Sequence, residues 1–335
     1  MSSEARLVDT AFTTYQGPRA GRLAAIWSLA HWSALRALGA RRGWKAKVIP
    51  ISLTLLAFAP ALVVLGLRAI LGSGSVSRSV ANAVPYSDYI STIAIVVLVF
   101  SVVITPELVC PDRRDRTLSL YFSTAIGRLD YVLGKIAAAL MPLLLVTLAP
   151  VLLLYVGTVL FSVHPVGYLQ ANWLDLPRII VSSLIVATFY GLVGLAISSL
   201  TSRRAFAVGG YLAFLAISTV MGGVLSDALN ARYFRLLAVA AAPIRAGQGL
   251  FPKYTDPGNI SPVVWGSTVV EVCVVAVLVL AVRYGRDEGG ARRRSSSPAS
   301  RAGTGTPSRW PTFRSRPTPE WSGCSATTVP ASRPR

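Results

Sequence analysis

The chain has 335 residues, of which 53% are apolar and only 14% are charged, and its mean hydropathy is +0.56. Soluble domains carry roughly 25% charged residues, so the composition excludes a soluble globular protein and places the chain in the membrane. The net charge of +19 does not point to nucleic acid, because the Lys and Arg residues gather at the chain ends and in short connectors, as they do in membrane proteins.

Residues 1–20 lack the unbroken apolar core of a cleavable signal and read as an N-terminal cytoplasmic segment, so the first crossing is expected to act as its own insertion signal. Residues 21–47 place Leu23, Ile26, Trp27, Ala30, Ala34, Leu35 and Leu38 near helical spacing, flanked by Arg22, Arg36, Arg41 and Arg42. With Trp27, Trp32 and Trp44, this predicts an amphipathic helix in the headgroup layer; the alternative is a cytosolic helix packed on the bundle.

Six runs between residues 48 and 286 meet the length of roughly 20 mostly apolar residues needed to cross a bilayer, which predicts an all-α integral membrane domain. The first is Val48 to Leu67 and the second is Tyr89 to Val109, with Tyr86, Asp88 and Tyr89 at its aromatic rim. The third, about Tyr131 to Phe161, is too long for an upright crossing and contains Pro142 and Pro150, so it is expected to tilt, kink or begin outside the bilayer. The fourth, Ile179 to Leu200, and the fifth, Ala205 to Leu225, are joined by Thr201, Ser202, Arg203 and Arg204 in a tight hairpin. The sixth runs from Val263 to Val282.

Basic residues crowd the segment before the first crossing, the second-to-third connector (Arg113, Arg114, Arg116, Arg128, Lys135), the fourth-to-fifth turn and the chain end. Residues 72–87 carry only Arg78, and residues 162–178 only Arg178. The positive-inside rule then predicts both termini in the cytoplasm. The fifth-to-sixth segment opposes this with Arg232, Arg235, Arg245 and Lys253, and a short interfacial or re-entrant helix at Ala228 to Pro243 is expected to hold its charges at a headgroup interface. Residues 287–335 are rich in Ser, Pro, Arg and Thr without apolar periodicity, the composition of a disordered basic tail, and their abrupt onset also fits an altered reading frame.

Two acids stand inside crossings. Glu271 lies near the middle of the sixth, where an ionisable group costs about 2.5–3.5 kcal/mol and usually faces the bundle interior or water, lining a path or steadying a helix contact. Glu107 lies near the cytoplasmic end of the second, where an ion pair with Arg113 or Lys135 is expected. Ala187, Gly191, Gly194 and Ser198 on the fourth crossing, with Ala205 and Gly209 on the fifth, predict close packing of that hairpin.

Cys110, Cys273 and Cys324 are too dispersed for a metal or disulfide framework. No G-x-x-x-x-G-K-[ST] loop or H-E-x-x-H motif occurs, and His31 and His164 fall on opposite sides of the predicted membrane. Neither ATP hydrolysis by this chain nor a cofactor is expected.

The stretch TPELVCPDRRDRTLSLYFSTAIGRLDYVLGK resembles the segment between the second and third crossings of the membrane subunits of type 2 ATP-binding-cassette (ABC) transporters. The matching residues are Asp112, Arg113, Arg116, Thr117, Leu118, Leu120, Ser123, Arg128, Tyr131, Gly134 and Lys135, while Tyr121 and Phe122 replace the usual aliphatic residues and Thr124 to Gly127 replace a frequent Pro. The resemblance covers roughly residues 20–286 and implies that Thr117 to Ile126 form a cytoplasmic coupling helix. Arg113, Arg116, Thr117, Leu118, Leu120, Ser123 and Arg128 would contact a cytosolic ATPase subunit.

It further implies a permease of the plasma membrane that pairs with a second copy, identical or related, and two ATPase subunits, moving substrate outward. The rival readings are an ATP-independent secondary transporter, which should show duplicated halves, and a non-transporting membrane anchor or assembly protein.

Overall fold

The structure, a computed structural model, describes residues 21–40, 43–71, 85–115, 127–162, 164–252, 254, 256 and 259–285, and every regular element among them is helical. In chain order these are α1 (Arg22–Ala37), α2 (Trp44–Leu71), α3 (Tyr86–Thr92), α4 (Ala94–Arg114), α5 (Arg128–Leu160), α6 (Pro165–Ala171), α7 (Asp175–Leu200) and α8 (Arg204–Ala228). A 3-10 turn at Arg232–Leu237, α9 (Ala242–Gln248) and α10 (Pro262–Gly285) complete them. Helices α2, α4, α5, α7, α8 and α10 are each long and apolar enough to cross a membrane, and they correspond to the six predicted runs. A backbone in hydrocarbon must satisfy its N–H and C=O groups within one helix, which is why apolar length alone locates them.

Helix α7 is the hub, packing against α4, α5, α8 and α10, and it is the most buried crossing. Its small residues make this possible: Ala187, Gly191, Gly194 and Ser198 are all buried. A Cβ at Gly194 would lie 2.5 Å from Thr105 Oγ1 of α4, and one at Gly191 would lie 3.3 Å from Leu143 Cδ1 of α5. The stripe therefore serves α4 and α5, not the expected hairpin with α8. On α8, Ala205 and Gly209 are exposed, and a Cβ at Gly209 meets nothing within 4 Å. That helix is held instead by Ala207, Tyr211 and Leu215, with Tyr211 donating to Tyr190 O at 2.9 Å.

At 33 residues, α5 spans about 50 Å at 1.5 Å per residue, well beyond a ~30 Å hydrocarbon core. Pro142 and Pro150 do not interrupt it. Its first turns, bearing Asp130 and Lys135, bond to α1, which accounts for the excess length as an extension at that end. The Pro111–Arg114 segment, read from sequence as connector, is the last turn of α4. Only residues 115–127 link α4 to α5.

The helix expected at Ala228 to Pro243 is replaced by the 3-10 turn and the separate helix α9, in whose first turn Pro243 sits. Proline suits that position because its missing N–H has no intrahelical partner there. Residues 1–20 and the predicted tail at 287–335 lie outside the described residues.

Candidate functional site

The ends of α4 and α5 that flank the connector are joined to α1 by a buried charge cluster. At its centre is Asp112, in the last turn of α4, with a side chain 1% exposed. Its Oδ2 receives Lys135 Nζ of α5 at 2.6 Å and the Tyr131 hydroxyl at 3.0 Å, and its Oδ1 receives Arg36 Nη2 of α1 at 2.7 Å. Lys135, 3% exposed, also donates to Ser33 Oγ of α1 at 3.1 Å and lies 5.4 Å from the centre of the Tyr131 ring. One carboxylate thus organises three helices, and its charge is matched in place, as burial demands.

Helix α1 fits this position because Leu29, Ala30, Ser33, Ala34 and Ala37 form one buried face. Gly134 of α5 lets it approach, since a Cβ there would lie 2.8 Å from Leu29 Cδ2. Leu23, Trp27 and Trp32 remain exposed on the remaining surface. The helix is therefore packed on the bundle while keeping an exposed aromatic flank.

A second clamp lies at the start of α5. Asp130 accepts the Gly127 N–H at 3.2 Å, and both its oxygens take Arg22 Nε, at 2.8 and 2.9 Å. Hydrogen bonding to Asp130 raises the Arg22 guanidinium above its ordinary value. With Arg22 70% exposed, this pair orients more than it stabilises.

The end of α4 is also tied to the α7–α8 turn. Arg113 donates to Ser199 O, and Cys110 Sγ lies 3.8 Å from Ser198 O and 3.7 Å from Thr201 O. Glu107, buried, pairs with Arg204 at the start of α8, which corrects the expected pairing with Arg113 or Lys135. Glu107 and Asp112 are five residues apart, about 140° around a helix, so they serve opposite sides of α4.

Arg113 and Arg128 are thus placed at the two ends of the connector, whereas Arg116, Thr117, Leu118, Leu120 and Ser123 lie outside the described residues. Glu271 is far in sequence from this cluster and is exposed on α10 among the exposed Val270, Val274 and Val275. It does not face the interior of this helix bundle.

At the opposite end, α9 packs on α3, α7 and α10. Arg245 pairs with Asp256 and lies 5.2 Å from the centre of the Trp265 ring; Asp256 also accepts the Tyr254 hydroxyl and the Ile260 N–H, each at 3.1 Å. Burial alone would push the Asp256 carboxyl up, but the Ile260 N–H and the Arg245 guanidinium outweigh it and hold it below its ordinary value. Burial and the nearby Asp256 push the Tyr254 phenol up to about 12. Gln248 donates to Asp88 of α3 at 3.2 Å, closing this lock. Arg245, which weighed against the topology as a free cation, is neutralised within the fold.

The Asp112–Lys135, Arg22–Asp130 and Arg245–Asp256 pairs are not evident from the sequence, although Asp112 and Lys135 both stand in the motif of the connector. The available signal was a set of acids at the ends of apolar runs, each needing a cation. Among the described residues no three His, Cys, Asp or Glu side chains converge on a possible metal position.

A family model described as ABC-2 family transporter protein matches residues 28–288. No curated protein matches the chain.

Proposed function

The chain belongs to the ABC-2 transporter family, and on that premise we propose that it is a permease subunit whose α4–α5 connector docks on a cytosolic ABC ATPase and carries its movement into the bundle. The observation that supports this reading best is the Asp112 cluster. A connector that transmits force needs rigid attachment at both ends, and here both ends are fixed to each other through the buried Asp112 and Lys135, which in turn hold Arg36 and Ser33 of α1. The ties from Arg113 to Ser199 and from Glu107 to Arg204 extend that attachment to α7 and α8.

In this reading the connector end of the bundle is cytoplasmic, and Leu118 and Leu120 seat in the ATPase with Arg113, Arg116, Thr117, Ser123 and Arg128 around them. A second permease copy completes the path, the membrane is the plasma membrane and transport runs outward. Helix α1 lies at the inner headgroup layer, with Leu23 and Trp27 toward the lipid.

ATP closes the ATPase dimer, the two connectors move together, and α4 and α5 follow as one body because Asp112 and Lys135 hold them. The test is copurification with the ATPase subunit. Leu118→Asp with Leu120→Asp should abolish binding and stimulated ATP hydrolysis while leaving the permease folded; an intact, stimulated complex would refute the docking role.

A further inference from the structure

Arg68 is a buried cation without a counter-charge among the described residues. It lies three residues before the end of α2, on the same face as Leu65 one turn earlier, and Leu65 packs against Gly157 of α5 so closely that no Cβ fits there. Its neighbours Leu67 and Ile70 are exposed, at 41% and 82%, whereas Arg68 is 8% exposed. The side chain therefore turns in against the bundle. Its Nε is buried with no hydrogen-bond partner, although Arg36, Arg178, Arg204 and Arg245 each face a carboxylate. A buried guanidinium left in this way is costly unless an anion joins it.

The groups that meet the same stretch of α5, around Tyr155 and Gly157, are neutral donors. Tyr86 of α3 and Tyr168 of α6 share a hydroxyl hydrogen bond of 3.0 Å, and the Tyr86 ring lies 5.8 Å from that of Tyr155 on α5. Burial pushes the Tyr86 phenol well up, and the Arg68 charge is close enough to pull it back in part. A guanidinium with adjacent hydroxyls is an oxyanion-binding set. Arg68 is two residues inside the end of the apolar Lys47–Ile70 helix, and the end of a crossing helix is where basic side chains meet the headgroup layer. Leu160, Phe161, Val166 and Leu169, all exposed, supply an apolar rim on α5 and α6, suited to acyl chains and of no use to a free anion.

We propose that Arg68, with the Tyr86 and Tyr168 hydroxyls, holds the phosphate of a lipid headgroup at the end of the bundle opposite the connector. The proposal is independent of the docking role of the connector. Thermal unfolding of the delipidated full-length protein in detergent, titrated with phosphatidylglycerol, diacylglycerol or inorganic phosphate, tests it. Phosphatidylglycerol should raise the midpoint of the wild type, and diacylglycerol should not.

Arg68→Gln should weaken the phosphatidylglycerol response about tenfold or more, and Tyr168→Phe about threefold, as expected for loss of a charged and a neutral hydrogen bond. Without lipid, Arg68→Gln should melt no lower than the wild type, since it removes an unpaired charge. Equal responses of wild type and Arg68→Gln, or an equal effect of diacylglycerol, overturn the site. The full shift with inorganic phosphate alone overturns its assignment to lipid. If Arg68→Gln does not fold, an unchanged response of Tyr168→Phe overturns the proposal.

Discussion

Replacing Asp112 by Asn removes the one carboxylate that Lys135, Arg36 and Tyr131 share. Lys135 is 3% exposed and would keep only Ser33 Oγ as a direct partner in the cluster, whereas Arg36, at 36% exposure, can turn to water. Breaking a buried pair from one side costs about 3–5 kcal/mol, because the remaining charge is stranded. Removing Lys135 instead should cost less, since Asp112 keeps Arg36 at 2.7 Å and Tyr131 at 3.0 Å.

The expected order of unfolding midpoints in detergent is therefore wild type, then Lys135→Met, then Asp112→Asn, with the double variant close to Lys135→Met. A loss below about 1 kcal/mol for Asp112→Asn, or a double variant that adds both losses, would refute the reasoning that one charge balances the other. In the reconstituted complex, Asp112→Asn should bind the ATPase but lose transport-coupled stimulation, because the attachment and not the docking surface is changed.

Other consequences are equally direct. Gly194→Ala should destabilise by about 1–3 kcal/mol through overpacking against Thr105, whereas Gly209→Ala, with open space around it, should be neutral or gain up to about 1 kcal/mol in helix propensity; thermal melts of the two compare them. The Arg245–Asp256 lock should weaken in acid. The Asp256 carboxyl is held below its ordinary value in the folded protein, so its contribution is fully present above the unfolded value of about 3.9 and is lost as pH falls through the folded value. The gap in melting midpoint between wild type and Asp256→Asn should be constant from about pH 7 to 5 and shrink below about 4; a gap that widens in acid contradicts the lock. Glu107→Gln should lower the melting midpoint by leaving Arg204 facing a neutral group, and Arg204→Gln should lower it by taking a cation from the buried Glu107.

The six crossings were legible because bilayer length and backbone satisfaction act on apolar runs one at a time. The extra length of α5 was legible for the same reason, and its cause emerged only with α1 packed on Asp130 and Lys135. What pairs with what was not legible. The small-residue stripe of α7 was visible, but its partner depends on rotation about the helix, which turned Gly194 to Thr105 and left Gly209 outside.

The position of Glu107 shows that it needs a cation but not which one: it pairs with Arg204, ninety-seven positions on and adjacent in the fold, and not with the sequence neighbour Arg113. The surroundings of Glu271 were not legible either. The rule that membrane acids face inward describes a complete assembly, and this single bundle leaves that acid on its outer face.

The central claim is that the connector, and not the opposite end, meets an ATPase. A photo-crosslinking residue placed at Leu118 should yield an adduct with the ATPase subunit in intact membranes, and the same residue at Tyr168 should yield none. An adduct from Tyr168, or none from Leu118 in a complex that hydrolyses ATP, contradicts the account.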